Sequence, residues 1–140
     1  MKNVIEINRK KVFMRHEVSQ LLPLIYRLTE ESQQEVRKIT NFIEAYTDKK
    51  CLAVQELQGR LDEIVNNWQA KIEKLGGEPK GLWLADFDNG HGYFCWKFPE
   101  TEICFWHGYQ DGFMGRTLIT EKSRPEIYEN SNSPNQPDAW

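Results

Sequence analysis

The sequence is poor in cysteine and contains no long apolar run, and both absences exclude classes of protein. Its 3 cysteines, Cys51, Cys95 and Cys104, form no C-x-x-C pair. This usage is typical of a reducing compartment and not of a disulfide framework. No segment approaches the roughly 20 apolar residues that cross a bilayer, and the N-terminus lacks the apolar core of a secretory signal. We therefore expect a cytoplasmic protein without a membrane association.

The chain also lacks an excess of positive charge. It has 18 Lys and Arg against 21 Asp and Glu, a formal net charge of -3, with basic residues dispersed among acidic ones. Binding to a nucleic-acid backbone requires a concentrated basic face, so we expect no nucleic-acid partner. A length of 140 residues suits a single domain that buries roughly two-thirds of its unfolded surface.

Two stretches in the first half have the periodicity of helices. Apolar residues repeat along each at steps of three and four, which places them on one stripe of a helix. The stripes consist of Ile25, Leu28, Ile39, Phe42 and Tyr46 in one stretch and of Leu52, Leu57, Leu61, Ile64, Trp68, Ile72 and Leu75 in the other. Helices are predicted over about residues 16–47 and 50–75. The short polar connection between them predicts an antiparallel hairpin about 40 Å long.

Proline and glycine mark the interruptions of these helices. Pro23 has no backbone N–H, so either the main part of the first helix starts near Pro23 or the helix bends there. Gly76 and Gly77, followed by Pro79, predict the end of the second helix. Glycine readily adopts the left-handed conformation of a C-terminal cap, and proline prevents the helix from resuming.

The rest of the domain has the shorter period of β-strands. Three strands are predicted within residues 82–119, at 82–87, 93–98 and 102–109, with a further short candidate at 117–119. Another short candidate, 12–14, lies before the first helix. The predicted fold class is α+β: a long antiparallel helical hairpin packed on a small antiparallel sheet of three to five strands. One domain is expected over residues 1–120. Residues 121–140 have little apolar surface to bury and are expected to form a mobile polar tail.

The predicted loops determine which strand residues face each other. A two-residue loop at Asn89 and Gly90 puts Asp86 opposite Tyr93, and a three-residue second loop puts Tyr93 opposite His107. Side chains alternate across a strand, so one face of the sheet is apolar and is expected to pack on the helices. That face carries Trp83, Ala85, Phe94, Trp96, Phe98 and Trp106. On the opposite face, Asp86, Tyr93 and His107 are predicted to form one row.

Two segments of this aromatic region resemble a known family. The runs PKGLWLADFDNGHGYFCWKFPE and EICFWHGYQDGFMGR, with LLPLIYRLT and WQAKIEKLG before them, are similar to the bacterial domain-of-unknown-function family 2203 over roughly residues 12–119. The resemblance supports the domain limits and implies no established activity. The family pattern falls here on Asp86, Cys95, Trp96, Trp106, His107, Asp111, Gly112, Gly115 and Arg116.

The side chains that carry chemistry form one candidate polar cluster. Its members are Asp86, Tyr93, Cys95, His107, Asp111 and Arg116. An Asp–His pair is in the first place a buried structural hydrogen bond; an acid–base pair and part of a transition-metal site are the alternatives. The spacing matches no metal signature, so we expect neither a metal nor a cofactor. Arg116 either binds a carboxylate or phosphate through its planar fork or pairs with Asp111 or Asp86 to pin the loop.

These observations leave two functional hypotheses. The first is a non-catalytic interaction or ligand-binding module that assembles through its helices, in the manner of a coiled coil, into a homodimer and binds a protein or small-molecule ligand. The alternative is a small enzyme or metal-binding protein that uses Asp86, His107 and Arg116, assisted by Tyr93 or Cys95. The sequence leaves open whether the protein is an enzyme.

Overall fold

The computed structural model describes residues 11–120, Ser123 and Ile127. Within these residues two helices precede an antiparallel sheet, as the α+β prediction requires. The helices are α1 (Arg15–Glu44) and α2 (Leu52–Lys74). The strands are β1 (Glu78–Gly81), β2 (Leu84–Asp88), β3 (Gly92–Lys97), β4 (Phe105–Gly108) and β5 (Thr117–Leu118), with a 3₁₀ turn at Phe113–Gly115. No helix in the described ranges is long and apolar enough to cross a membrane.

The helices agree with the predicted hairpin, with ends displaced by one to three residues. α1 contains 30 residues and continues through Pro23, so the helix does not start there. α2 ends as predicted: Gly76 has a φ of 99°. The Gly76 N–H donates to the Glu73 carbonyl and the Gly77 N–H to the Ile72 carbonyl. These two bonds satisfy carbonyls that the helix end would leave unpaired.

The sheet is a five-stranded meander in which each strand pairs with the next along the chain. Strand β1 was not predicted, because Pro79 and Gly81 within it resemble a loop. The candidate strand at 12–14 is absent: these residues have no strand pairing, although the Phe13 N–H donates to the Asp88 carbonyl at 2.7 Å. The candidate at 117–119 is present as β5.

The predicted register is correct between β3 and β4 and wrong between β2 and β3. Tyr93 lies opposite His107 as expected, but Asp86 lies opposite Cys95 instead of Tyr93. The Asn89 N–H donates to the Gly92 carbonyl, so the turn is centred one residue later than predicted. Moving a two-residue turn by one residue changes every cross-strand partner by two. Because strand faces alternate with a period of two, the predicted faces are preserved.

The apolar face of the sheet packs on the helices as predicted. Its aromatic residues join the helices in one core, whose buried members include Val18, Leu22, Ile25, Trp68, Ile72, Ala85, Phe87, Phe94 and Trp96. A polar link lies inside this core. Trp68 Nε1–H donates to Thr29 Oγ1 at 2.8 Å, and the Thr29 hydroxyl donates to the Ile25 carbonyl at 2.7 Å. The indole is therefore buried without an unpaired N–H.

Most of the predicted C-terminal tail lies outside the described residues. Of residues 121–140, only Ser123 and Ile127 are described. The Ser123 hydroxyl accepts a hydrogen bond from the Thr120 N–H at 2.9 Å. Ile127 is buried in the same core cluster as Phe13 and Trp68, so at least this apolar residue of the segment packs against the domain.

Candidate functional site

Three chemically active side chains meet on the face of the sheet that turns away from the helices. Asp86 on β2 and Cys95 on β3 are cross-strand partners, and His107 on β4 lies diagonally across from Asp86. All three are buried, and the carboxylate, thiol and imidazole ligand atoms lie within 4.8 Å of one another. We call these residues the Asp–Cys–His centre.

The hydrogen bonds of His107 indicate which of its ring nitrogens carries a proton. Its Nδ1 lies 3.0 Å from the Gly108 carbonyl oxygen, which only accepts, so Nδ1 carries a proton. Its Nε2 lies 3.1 Å from Asp86 Oδ2. A neutral imidazole would then direct its Nε2 lone pair at a carboxylate. The contact therefore needs one cation between the two atoms, either a proton or a metal ion.

Asp86 is the member of the centre whose hydrogen-bonding capacity is least well satisfied. Burial raises the pKa of its carboxyl above the ordinary value, an effect that His107, Cys95 and Lys80 oppose. Its second oxygen, Oδ1, is buried and has no hydrogen bond of good geometry among the residues that the structure describes, and the Cys95 thiol bonds only weakly to the carboxylate. Buried polar atoms rarely lack a partner, and such an atom needs an explanation.

Cys95 lies between opposite charges. Burial, followed by the carboxylate of Asp86, raises the pKa of the thiol to about 12, while Arg116 acts to lower it. The Arg116 guanidinium forms two hydrogen bonds to Glu100, at 3.1 and 2.6 Å. It also lies between two rings, 3.9 Å from the Phe105 centroid and 4.4 Å from that of Phe113. The guanidinium is thereby held beside the thiol in one orientation.

A cavity of about 340 Å³ opens beside the Asp–Cys–His centre. Its wall is formed by residues from β1 to the 3₁₀ turn: Lys80, Leu84, Asp86, Tyr93, His107, Tyr109, Asp111, Gly112 and Phe113. The Tyr93 and His107 rings are 5.5 Å apart. Asp111 closes the turn after β4, where its Oδ2 accepts the Gly108 N–H at 3.3 Å. Asp86 and His107 are thus the members of the centre that face this space.

The structure brings the predicted cluster together with a different internal arrangement. Asp86 and His107 are in contact although they do not share a row; the row of Tyr93 and His107 contains Asp88 in place of Asp86. Tyr93 and Asp111 line the cavity. Arg116 pairs with Glu100 and not with Asp111 or Asp86, because the loop after β3 brings Glu100 to it.

Four residues that shape the site are not recognisable in the sequence. These are Lys80 and Tyr109 on the cavity wall, Glu100 as the partner of Arg116, and Phe113 stacked on the guanidinium. A Glu followed 16 positions later by an Arg carries no local signal, since the pairing depends on the path of a loop. Lys80 was not recognised as a site residue because it lies in β1, a strand that was not predicted.

The fold and site define a small α+β protein with a buried Asp–Cys–His centre at the edge of a cavity. The chain belongs to the family described as uncharacterized conserved protein (DUF2203), whose model matches residues 11–119. These limits agree with the resemblance seen in the sequence. No curated protein and no solved structure matches the chain.

Proposed function

We propose that the protein binds a transition-metal ion, with zinc as the best fit, through Asp86, Cys95 and His107. The convergence of these buried side chains carries the proposal, because a carboxylate, a thiol and an imidazole with ligand atoms within 4.8 Å of one another form a set that can hold a metal ion. The proposal replaces the sequence-based expectation of no metal. That expectation rested on spacing along the chain, whereas the three ligands come from three separate strands.

The distances suit a tetrahedral ion. With bonds of about 2.0–2.3 Å to N, O and S, tetrahedral ligand atoms lie roughly 3.3–3.7 Å apart. Nε2 and Oδ2 are 3.1 Å apart, and all three ligand atoms lie within 4.8 Å.

The surroundings of His107 support metal binding as well. The Nδ1–H bond to the Gly108 carbonyl leaves the Nε2 lone pair directed at the centre, and metal-binding histidines commonly make this second hydrogen bond. Thiolate, imidazole and carboxylate together suit zinc and disfavour magnesium and calcium, which prefer oxygen ligands alone. Three protein ligands would leave a fourth position for water or a ligand, and two of the three, Asp86 and His107, line the cavity.

The test is zinc binding to the full chain after treatment with a chelator. Isothermal titration calorimetry should give one zinc per chain, and cobalt should give tetrahedral absorption bands with a thiolate-to-metal band. The variants Asp86→Asn, Cys95→Ser and His107→Gln should each weaken zinc binding by about a hundredfold or more, since loss of an outer-shell partner alone costs 10–100-fold.

Matched variants control for nonspecific binding. Cys104→Ser and His16→Gln change the same residue types outside the centre and should retain the affinity of the unchanged protein. Circular dichroism establishes that each variant is folded. The proposal is wrong if zinc does not bind saturably, or if folded variants of all three ligands bind it as tightly as the two controls do.

A second proposal is self-association through the helical hairpin, for which the exposed apolar residues at its distal end are the specific observation. Phe42 is 63% exposed and Leu52 70% exposed, although both belong to the predicted stripes. The core contacts of α2 with the sheet lie near Trp68 and Ile72. The distal end therefore extends beyond the sheet, and a second copy would cover it in a homodimer.

The mass in solution tests this second proposal. Light scattering after size exclusion should give a dimer for the unchanged chain and a monomer for Phe42→Glu combined with Leu52→Glu. The control is Leu82→Glu, which alters a leucine that is 53% exposed beside the sheet. A monomeric unchanged protein would exclude the dimer. We further propose a cytoplasmic location, which the three free thiols support.

A further inference from the structure

The wall of the cavity beside the Asp–Cys–His centre indicates the class of its ligand. We propose that the cavity binds a small aromatic monocarboxylate, whose carboxylate occupies the open metal position within reach of the Lys80 ammonium while its ring contacts the aromatic wall. This inference rests on the proposed metal site and adds the chemistry of the ligand. It also assigns a role to Lys80, a residue outside the metal centre.

Lys80 supplies the positive charge of the cavity. Its Nζ lies 5.7 Å from the centroid of the Tyr93 ring and 3.2 Å from Glu78 Oε1. Such partly exposed ion pairs contribute little, so the ammonium is able to exchange one carboxylate for another. Within the centre, Asp86 and a Cys95 thiolate would neutralise a bound divalent ion. Lys80 is then the charge that favours an anionic ligand over a neutral one.

The acidic groups around the cavity limit the charge of that anion. Asp111 lies on the wall and Glu78 is paired with Lys80 at the rim. A dianion such as phosphate would meet more repulsion from both carboxylates than a monoanion would, because the repulsion between like charges grows with the charge. A single negative charge balances the single charge of Lys80. The cavity therefore favours a carboxylate over a phosphate group.

The rest of the wall favours an aromatic body. Tyr93 and Tyr109 meet edge to face, with ring centroids 5.3 Å apart, and Leu84 and Phe113 complete the apolar part of the wall. Aromatic rings pack well against such surfaces in offset or perpendicular arrangements. A volume of about 340 Å³ lies at the small end of the range of about 300–1,000 Å³ for ligand sites. This size suits a single ring.

Benzoate is the probe for this inference, with acetate and phosphate as comparisons. Titration calorimetry on the zinc-loaded full chain should show that benzoate binds at least about tenfold more tightly than acetate or phosphate, a difference of about 1.4 kcal/mol. The zinc-free protein should bind benzoate at least about tenfold less tightly than the zinc-loaded protein. On the cobalt-loaded protein, benzoate should change the absorption bands, because its carboxylate enters the coordination sphere.

A charge variant and a matched control complete the test. Lys80→Gln, measured with stoichiometric zinc, should weaken benzoate binding by about tenfold, whereas Lys38→Gln, which removes an exposed lysine on α1, should leave it unchanged. The inference is overturned if benzoate binds equally without zinc, if phosphate binds more tightly, if Lys80→Gln has no effect, or if zinc-loaded protein binds no benzoate. Failure to load zinc would instead contradict the proposed function.

Discussion

The imidazole of His107 and the carboxylate of Asp86 meet across a diagonal of the sheet, with Nε2 3.1 Å from Oδ2. Neither residue is the other's cross-strand partner, since Asp86 faces Cys95 and His107 faces Tyr93. Cys95 joins the same group because it is the cross-strand partner of Asp86 and lies beside that carboxylate. A direct Asp86–Tyr93–His107 row would have placed a phenol where the thiol lies.

The buried link between the helices predicts a loss of stability in Thr29→Val. The variant removes the hydroxyl that accepts the Trp68 Nε1–H and leaves the indole nitrogen buried without a partner. A buried donor without a partner costs about 1–3 kcal/mol, so the free energy of unfolding, measured by urea denaturation, should fall by that amount. Thr40→Val, a less buried position on the same helix, should change it by much less. Equal effects of the two variants would contradict the role of the hydrogen bond.

The close approach of β3 to β4 at Gly92 predicts that Gly92→Ala disturbs the site. A Cβ at this position would lie 2.2 Å from the His107 carbonyl oxygen and 2.8 Å from the Gly108 Cα. The strands must move apart, and overpacking of this kind costs about 1–3 kcal/mol. Thermal unfolding should show a lower Tm than that of Gly81→Ala, where a Cβ meets open space. Identical Tm values for the two variants would refute this prediction.

The hydrogen bond from Tyr109 to Asp88 predicts a pH effect. The phenol donates to Asp88 Oδ1 at 2.7 Å; this bond, followed by burial and negative charge nearby, raises the pKa of Tyr109 from 10.0 to about 12. The folded protein holds the phenolic proton more tightly than the unfolded chain does. The contribution to stability is therefore complete below pH 10 and is lost as the pH rises through about 12.

Tyrosinate absorbance measures this pKa directly. The difference between the titrations of the unchanged protein and Tyr109→Phe isolates the one phenol, and its midpoint should lie near pH 12. In Asp88→Asn the midpoint should move toward the ordinary value of 10.0, because the acceptor is no longer charged. If the midpoint is the same in Asp88→Asn as with Asp88 present, the hydrogen bond to Asp88 is not what raises the pKa of Tyr109.

The stacked ion pair of Arg116 predicts that lysine does not replace it. A lysine side chain at this position would lose both the two-pronged bond to Glu100 and the planar contact with Phe105 and Phe113. Hydrogen bonds between charged groups contribute about 1.5–3 kcal/mol, so Arg116→Lys should lower the free energy of unfolding by about 1–3 kcal/mol. Arg37→Lys on the exposed side of α1 is the matched control. A loss no larger than that of the control would mean that charge alone matters.

Most of the fold was predictable because its signals are local. The cap at Gly76 and Gly77 needs only glycine after an apolar stripe, and the alternation of aromatic and polar residues from Leu84 to Lys97 assigns the sheet faces. Even the error in the β2–β3 turn left these faces unchanged, since it shifted partners by two. Strand β1 was missed because Pro79 and Gly81 favour a loop, and only pairing with β2 makes them a strand.

The sequence by itself determined the helical hairpin, the antiparallel strands, the faces of the sheet and the set of polar residues that share one face. Periodicity and turn chemistry act between neighbours along the chain, so one sequence is enough to reveal them. Only the tertiary structure decided that Asp86 contacts His107, that Cys95 lies between Asp86 and Arg116, and that Glu100 holds Arg116. These contacts depend on a turn position and a loop path, because residues distant along the chain meet only when the whole sheet has packed.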